Sequence, residues 1–207
     1  MAERHIFSVD QFKAAMIGGG ARANQFFVAL SFPGYVSAGP AASTQGAFLC
    51  SATTLPGSVV NPTIVQYRGR EVKFAGERTF APWTVTIMND VSFNIRNALE
   101  QWMSGMNGLK DNNGFTNPVQ YQNNINVTQL DRNNMPLKLY QLKSAFPVDL
   151  SEIQLSYGDN DTIETYTCTF QYQHYETKFD AAFSIGNVVN NVGSKIGGFG
   201  GGTGFGI

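Results

Sequence analysis

Few residue types able to do chemistry occur in this 207-residue chain, and their spacing does not bring them together. The 2 histidines, His5 and His174, stand almost a whole chain apart, and neither has a nucleophile or second base beside it in sequence. The 2 cysteines, Cys50 and Cys168, each sit inside an apolar strand pattern. They read as reduced core thiols of a protein made in a cytoplasm rather than as a disulfide. No His/Cys group has zinc-ligand spacing. Asp159, Asp161 and Glu164 have the acidity of a cation loop but lack the spacing and central glycine of an EF-hand, so a hairpin turn accounts for them better. Asp149 and Glu152 form the one close carboxylate pair near a turn, and a solvated strand entry explains it. Gly18, Gly20 and Ala23 match a dinucleotide fingerprint in spacing, yet they end a helical pattern instead of following a strand. The glycine-rich end lacks the Lys-Ser/Thr of a phosphate loop. No catalytic, metal or cofactor site is expected, and the protein is not expected to be an enzyme.

What the composition does favour is an uncharged polar surface. Charged residues make up 14% of the chain, against about 25% in an ordinary globular domain, so Asn, Gln, Thr and Ser must cover much of the exterior. With a formal net charge of -1 there is no basic footprint for tight binding to nucleic acid through phosphate neutralisation. The length suits one domain. No segment offers the roughly 18 consecutive apolar residues of a membrane span, and no signal-peptide core stands at the N-terminus.

The elements follow from periodicity. Ser8 with Gln11 makes a capping-box pattern, and Phe12, Met16 and Ile17 form a short apolar stripe, so a brief N-terminal helix is expected to dock on this subunit or a neighbour. Residues 25–32 and 47–53 read as strands, separated by a Pro/Gly/Ala/Ser-rich loop over 33–46 that lies outside any core. Residues 63–67 and 70–75 form a hairpin through Arg68-Gly69, with Gly76 breaking the run. Trp83, Val85 and Ile87 alternate with Thr84, Thr86 and Met88 in a half-buried strand that Asn89 and Asp90 end. From Val91 the period becomes helical, with Val91, Ile95, Leu99, Trp102, Met103 and Met106 on one stripe. An Asn/Gly loop over 107–117 leads to a strand over 119–130, a turn over 131–136, and a strand over 137–146. The apolar parity of that last strand shifts between Leu139 and Tyr140, as at a bulge or a bend between two packing partners. Residues 162–176 alternate without a break and read as the longest strand, on the order of 45 Å at ~3.3 Å per residue. Glu164, Tyr166, Cys168, Phe170, Tyr172 and His174 lie on one side of it, and Thr165, Thr167, Thr169, Gln171 and Gln173 on the other. Residues 180–207 carry a weak helical pattern and end in a low-complexity glycine tail.

Leu55-Pro56-Gly57, then Ala75-Gly76-Glu77-Arg78-Thr79-Phe80, then Trp83-Thr84-Val85-Thr86-Ile87-Met88-Asn89-Asp90 resemble the tail tube protein family of contractile-tailed, T4-like bacteriophages. Phe146-Pro147-Val148 and Glu152-Ile153-Gln154-Leu155 resemble the closing part of the same family. The resemblance runs from about residue 24 to 178. It implies a mainly β fold, a barrel or sandwich of two packed antiparallel sheets with one flanking α-helix (tail-tube and Hcp-like), plus short terminal helices. It divides the chain into an N-terminal arm (1–23), a tube domain (24–178) and a C-terminal extension (179–207). It further implies homo-hexameric rings stacked into a tube within the virion, assembled in the host cytoplasm without membrane insertion. The tail sheath, baseplate, tail terminator and tape-measure proteins would be partners, and the inner barrel would conduct the genome during ejection. No cofactor is implied.

The residues agree with that logic. About eight strands close a barrel filled by side chains, and roughly sixteen or more are needed for a watery pore. One chain cannot supply these, so a wide channel has to be shared among copies that pair their edge strands. Thr165, Thr167, Thr169, Gln171 and Gln173 are the first lumen candidates, with Gln120, Gln122, Asn124 and Asn126 as a second set. The mixed charges of Arg68, Arg70, Glu71 and Lys73 make the hairpin a candidate for contact between rings. Two alternatives remain open: the inner tube of a contractile injection or secretion system with protein cargo, and a carbohydrate-binding or hydrolytic β-sandwich on the virion.

Overall fold

The computed structural model describes residues 9–16 and 20–178. Val9–Ala15 forms the expected short helix α1; Ser8 of the capping pattern and Ile17 lie outside the described residues. Phe12 and Met16 remain exposed, so these two residues of the stripe find no dock among the described residues. The chain continues through β1 (Phe26–Ala29), α2 (Gly39–Leu49), β2 (Cys50–Thr53), β3 (Ser58–Tyr67), β4 (Arg70–Phe80) and β5 (Trp83–Met88). Then follow α3 (Asn94–Met106), α4 (Pro118–Tyr121), β6 (Asn123–Leu130), β7 (Pro136–Leu150), β8 (Thr165–Gln171) and β9 (His174–Lys178).

Seven strands pair in two antiparallel sheets that share β7. The first half of β7 pairs with β6 and, on its other edge, with β9; the second half pairs with β8. Ser144, with φ 54°, marks the change of partner. A bend is therefore present, but at Ser144 and not between Leu139 and Tyr140, which pair in unbroken register with Thr128 and Val127 of β6. One sheet contains β1, β6, β7 and β9, the other β2, β5, β8 and the end of β7. Between them lie Val28, Leu30, Trp83, Val85, Ile87, Ile125, Val127, Leu142, Tyr166, Cys168 and Phe170, closed on one side by Ile95, Ala98, Leu99 and Trp102 of α3. The polar tips of the buried indoles are satisfied: Trp83 Nε1 donates to the Thr54 carbonyl at 2.7 Å, and Trp102 Nε1 to that of Tyr121 at 2.6 Å.

Several expectations fail for identifiable reasons. Residues 39–49 are helical rather than loop and strand, and Val36 and Ala42 are core residues. Small residues here permit close packing, since a Cβ on Gly39 would come within 2.9 Å of the Phe32 Cβ. So two helices flank the sheets, not one. Val91 is fully exposed and precedes α3, which starts at Asn94, whose backbone N–H donates to the Asp90 carboxylate at 3.2 Å. Residues 118–121 form a helical turn with Asn117 Oδ1 accepting from Val119 N–H, so the following strand starts at Asn123. Gly76 does not end the hairpin. It lies within β4, where a Cβ would meet the Asn61 carbonyl oxygen at 2.5 Å, beside the register shift between Val60 and Pro62. The unbroken 45 Å ribbon is also absent: Tyr172 and Gln173 interrupt it, β8 and β9 pair with different halves of β7, and β7, at 15 residues, is the longest strand.

Candidate functional site

Alternation in β5 and β8 sends Trp83, Val85, Ile87, Tyr166, Cys168 and Phe170 into the core and leaves a row of hydroxyls on the other side. Register places Thr84 opposite Thr169 and Thr86 opposite Thr167. The Thr84 and Thr169 hydroxyl oxygens are 3.2 Å apart, Thr53 Oγ1 donates to the Thr84 carbonyl at 3.2 Å, and Ser51 Oγ donates to that of Thr86 at 3.3 Å. Thr165, Thr167, Thr169 and Gln171 share this face. It carries no ionisable side chain on β5 or β8; at its β7 margin stands Asp149, paired in register with Thr169. Ser51, Thr84 and Thr86 belong to the same wall and were not among the sequence candidates, whereas Thr53 stands opposite the buried Val85. Their signal was legible all the same, because the period-two Thr pattern of β5 matches that of β8.

The other candidates separate. Gln173 is exposed beyond the end of β8, its backbone N–H donating to the Lys143 carbonyl. Gln120 lies in α4 and Gln122 caps it. Asn124 and Asn126 lie on β6 of the other sheet, where Asn124 Oδ1 accepts from Ser144 N–H at 3.2 Å and Asn126 Oδ1 is buried without a partner among the described residues. Gln120, Gln122, Asn124 and Asn126 thus form no common face.

Arg68, Arg70, Glu71 and Lys73 do come together, at the end of the β3–β4 hairpin. Arg68 and Gly69 adopt positive φ, 46° and 82°, as a two-residue turn joining twisted strands requires. The ribbon pairs with no other strand among the described residues. One face presents Tyr67 beside Arg70, Val65 beside Val72, and Thr63 beside Phe74; the other presents Gln66 beside Glu71 and Ile64 beside Lys73. Val65, Val72, Phe74 and Tyr67 are exposed. Charge alone had marked this hairpin in the sequence; the structure adds an apolar face. Its base is anchored by Phe80, which packs on Tyr172 and Tyr175, with Tyr175 Oη donating to Ser58 Oγ at 3.4 Å.

The chemistry-bearing side chains stay apart. Cys50 and Cys168 are buried free thiols. Burial pushes Cys50 up to about 12 and Cys168 well above the ordinary thiol range, so both are held neutral. Tyr166 is likewise pushed up by burial, with Arg96 stacked 5.1 Å from its ring centroid. His174 is exposed, 4.0 Å from the Glu176 carboxylate, and His5 lies outside the described residues. Asp159, Asp161 and Glu164 belong to an irregular loop over 151–164, and no cluster of His, Cys, Asp or Glu among the described residues could hold a metal ion.

Among the described residues β1 and β2 are edge strands, one sheet face is neutral and polar, and the apolar ribbon pairs with no other strand, features that suit a β protein meeting further copies at its edges. The phage tail tube protein family model matches residues 21–178, and the chain belongs to that family. It is 30% identical to tail tube protein gp19 of Enterobacteria phage T4 over 172 residues, covering 83% of this chain and 100% of the relative. It is also 30% identical to the tail tube protein of Serratia phage KSP90 over 168 residues, covering 80% and 94%. The protein is a structural component of a phage tail tube. Solved structures with a similar fold include a chain of the anti-feeding prophage baseplate (TM-score 0.54, 10% identity, 77% of this chain and 96% of that one). A chain of the extended sheath-tube complex of the PVC extracellular contractile injection system is also similar (TM-score 0.50, 12% identity, 84% and 99%).

Proposed function

We propose that six copies form a ring, that rings stack into the tail tube, and that the hydroxyl wall of β2, β5 and β8 lines a lumen through which the genome leaves. Six copies of β2, β5, β8 and the end of β7 would supply 24 strands, beyond the roughly sixteen that a watery pore needs. The observation that carries the reading is the absence of cationic side chains from that wall. A basic lining would hold phosphate by releasing counterions, whereas hydroxyls and a marginal carboxylate let a duplex slide. Thr165, Thr167, Thr169 and Gln171 are the lumen residues, now with Thr84 and Thr86. Residues 24–178 act as the tube domain and the two ends as appendages to it.

Ring-to-ring contact falls to the hairpin: Val65, Val72 and Phe74 supply apolar area, while Arg68, Arg70, Glu71 and Lys73 select the partner. Assembly takes place in the host cytoplasm around a tape-measure protein, with sheath, baseplate and terminator proteins as neighbours and no enzymatic activity. The structures with a similar fold support these partners, since one comes from a sheath-tube complex and another from a baseplate. Replacing Thr167 and Gln171 by Lys tests the lumen. Tubes of normal length with genome release slowed several-fold in infected cells are expected; unchanged release would remove these positions from the lining.

A further inference from the structure

The hairpin and the loop over 151–164 stand at opposite ends of one sheet. Strand β5 pairs with β8 from Trp83 opposite Phe170 to Met88 opposite Thr165. The hairpin enters and leaves at the Trp83 end, where Trp83 Nε1 binds the Thr54 carbonyl and β4 ends at Phe80. The loop leaves and returns at the Met88 end. Ser151 N–H donates to the Thr167 carbonyl, Arg96 donates to the Ser151 carbonyl at 2.8 Å, and Asn89 Nδ2 donates to the Glu164 carboxylate at 2.8 Å.

Held at both ends, the loop is concave. It encloses a cavity of about 430 Å³ lined by Leu155, Tyr157, Asp159 and Glu164 among others. Leu155, Tyr157 and Ile163 are exposed on it. It carries Glu152, Asp159, Asp161 and Glu164 and no lysine or arginine. The hairpin is its complement: a two-stranded ribbon, apolar on one face, with Arg68, Arg70, Lys73 and Arg78 outnumbering Glu71 and Glu77. At ~3.3 Å per residue the 10-residue β3 is roughly 33 Å long, and among the described residues it pairs only with β4.

We propose that the loop over 151–164 is the socket for the hairpin tip of a second copy in the next ring. The contact is heterologous, joining different patches on the two copies, and such contacts propagate along an axis instead of closing. Tyr67 and the apolar face fill the socket beside Leu155 and Tyr157, while Arg68 and Arg70 face Asp159 and Asp161. Complementary charge at the rim fixes register and rejects the reversed orientation. The inference rests on the tube reading and names the surface that reading leaves open.

The test is a charge exchange in the full-length chain, read by sedimentation and electron microscopy of purified protein, with thermal unfolding as a check on the fold. Arg68→Glu with Arg70→Glu, or Asp159→Arg with Asp161→Arg, is expected to raise the concentration at which tubes appear by about tenfold or more, since each factor of ten is a modest free-energy change. All four substitutions together should restore assembly to within about threefold of the unaltered chain. Tubes that are insensitive to the loop pair, or a fourfold variant worse than either pair, would overturn the pairing while leaving the tube reading intact. An unaltered chain that makes no tubes would remove the tube reading itself. If the Arg-bearing loop unfolds the subunit, Asp159→Asn with Asp161→Asn decides by the same readout, because it removes charge without adding bulk.

Discussion

Strand β5 and the β3–β4 hairpin are neighbours in the chain and share the alternation of apolar with polar residues, yet only β5 has both faces accounted for within the subunit. Trp83, Val85 and Ile87 are buried to 1% exposure or less, whereas Val65, Val72 and Phe74 are 47%, 38% and 57% exposed. A two-stranded ribbon on its own is marginal in water, and this one is held at its base by Phe80, Tyr172 and Tyr175 rather than along its length. Alternation therefore says that a strand has two sides. It does not say whether the partner for the second side lies in the same chain.

The sharpest way to break this contrast is to remove each region in turn. Phe170→Ala, in contact with both Trp83 and Trp102, should cost about 3–5 kcal/mol, because the cavity cannot collapse between two indoles. Denaturant unfolding measures that loss. Replacing residues 59–79 by Asn-Gly, which closes a two-residue turn on the Ser58–Phe80 pair, should leave subunit stability within about 1 kcal/mol and abolish tubes. A deletion that unfolds the subunit would mean that the hairpin belongs to the core after all.

A smaller step separates the two faces of the ribbon. Val72→Asp with Phe74→Asp strikes the apolar face and Lys73→Gln the polar one. If ring contact buries the first, each lost side chain forfeits about 1.5–3 kcal/mol of transfer free energy per contact, so the double substitution should leave folded rings that do not stack. Lys73→Gln should shorten tubes only slightly, since exposed charge pairs contribute about 0–1 kcal/mol. Equal effects in sedimentation would show that the faces are not distinct.

Much of this arrangement was legible in the residues. The change from period two to the helical stripe of Ile95, Leu99 and Trp102 located β5 and α3, and Arg68-Gly69 located the hairpin turn. Helix α2 was not legible, because it packs through Gly39, Ala42 and Gly46 and so presents neither an apolar stripe nor a charged face. The break between β8 and β9 was hidden for the opposite reason. Alternation continues through Tyr172, but β8 lies between β5 and the end of β7 whereas β9 pairs with the first half of β7, and periodicity is blind to partners. The aromatic face of the expected long strand, Tyr166, Phe170 and Tyr172, is this subunit's own core. That Thr165, Thr167, Thr169 and Gln171 share one face was legible because it depends on parity alone. Asn124 and Asn126 lie on β6, apart from the Thr face, because equal polarity does not place two strands side by side.

The finest comparison is between the two sides of the β5–β8 pair. The core side is set by packing; the hydroxyl side is held by hydrogen bonds that water can replace. Thr84→Val or Thr169→Val alone leaves the other hydroxyl without its 3.2 Å partner but next to solvent, so each should cost about 0.5–1 kcal/mol. The double substitution removes both polar groups and keeps two β-branched side chains suited to a strand, and it should cost less than the sum of the singles. A thermal double-mutant cycle reads the difference. A cost above about 2 kcal/mol for either single would mean that the hydroxyls are buried structural groups, and the wall would then be a second core face rather than a surface left free for a lumen.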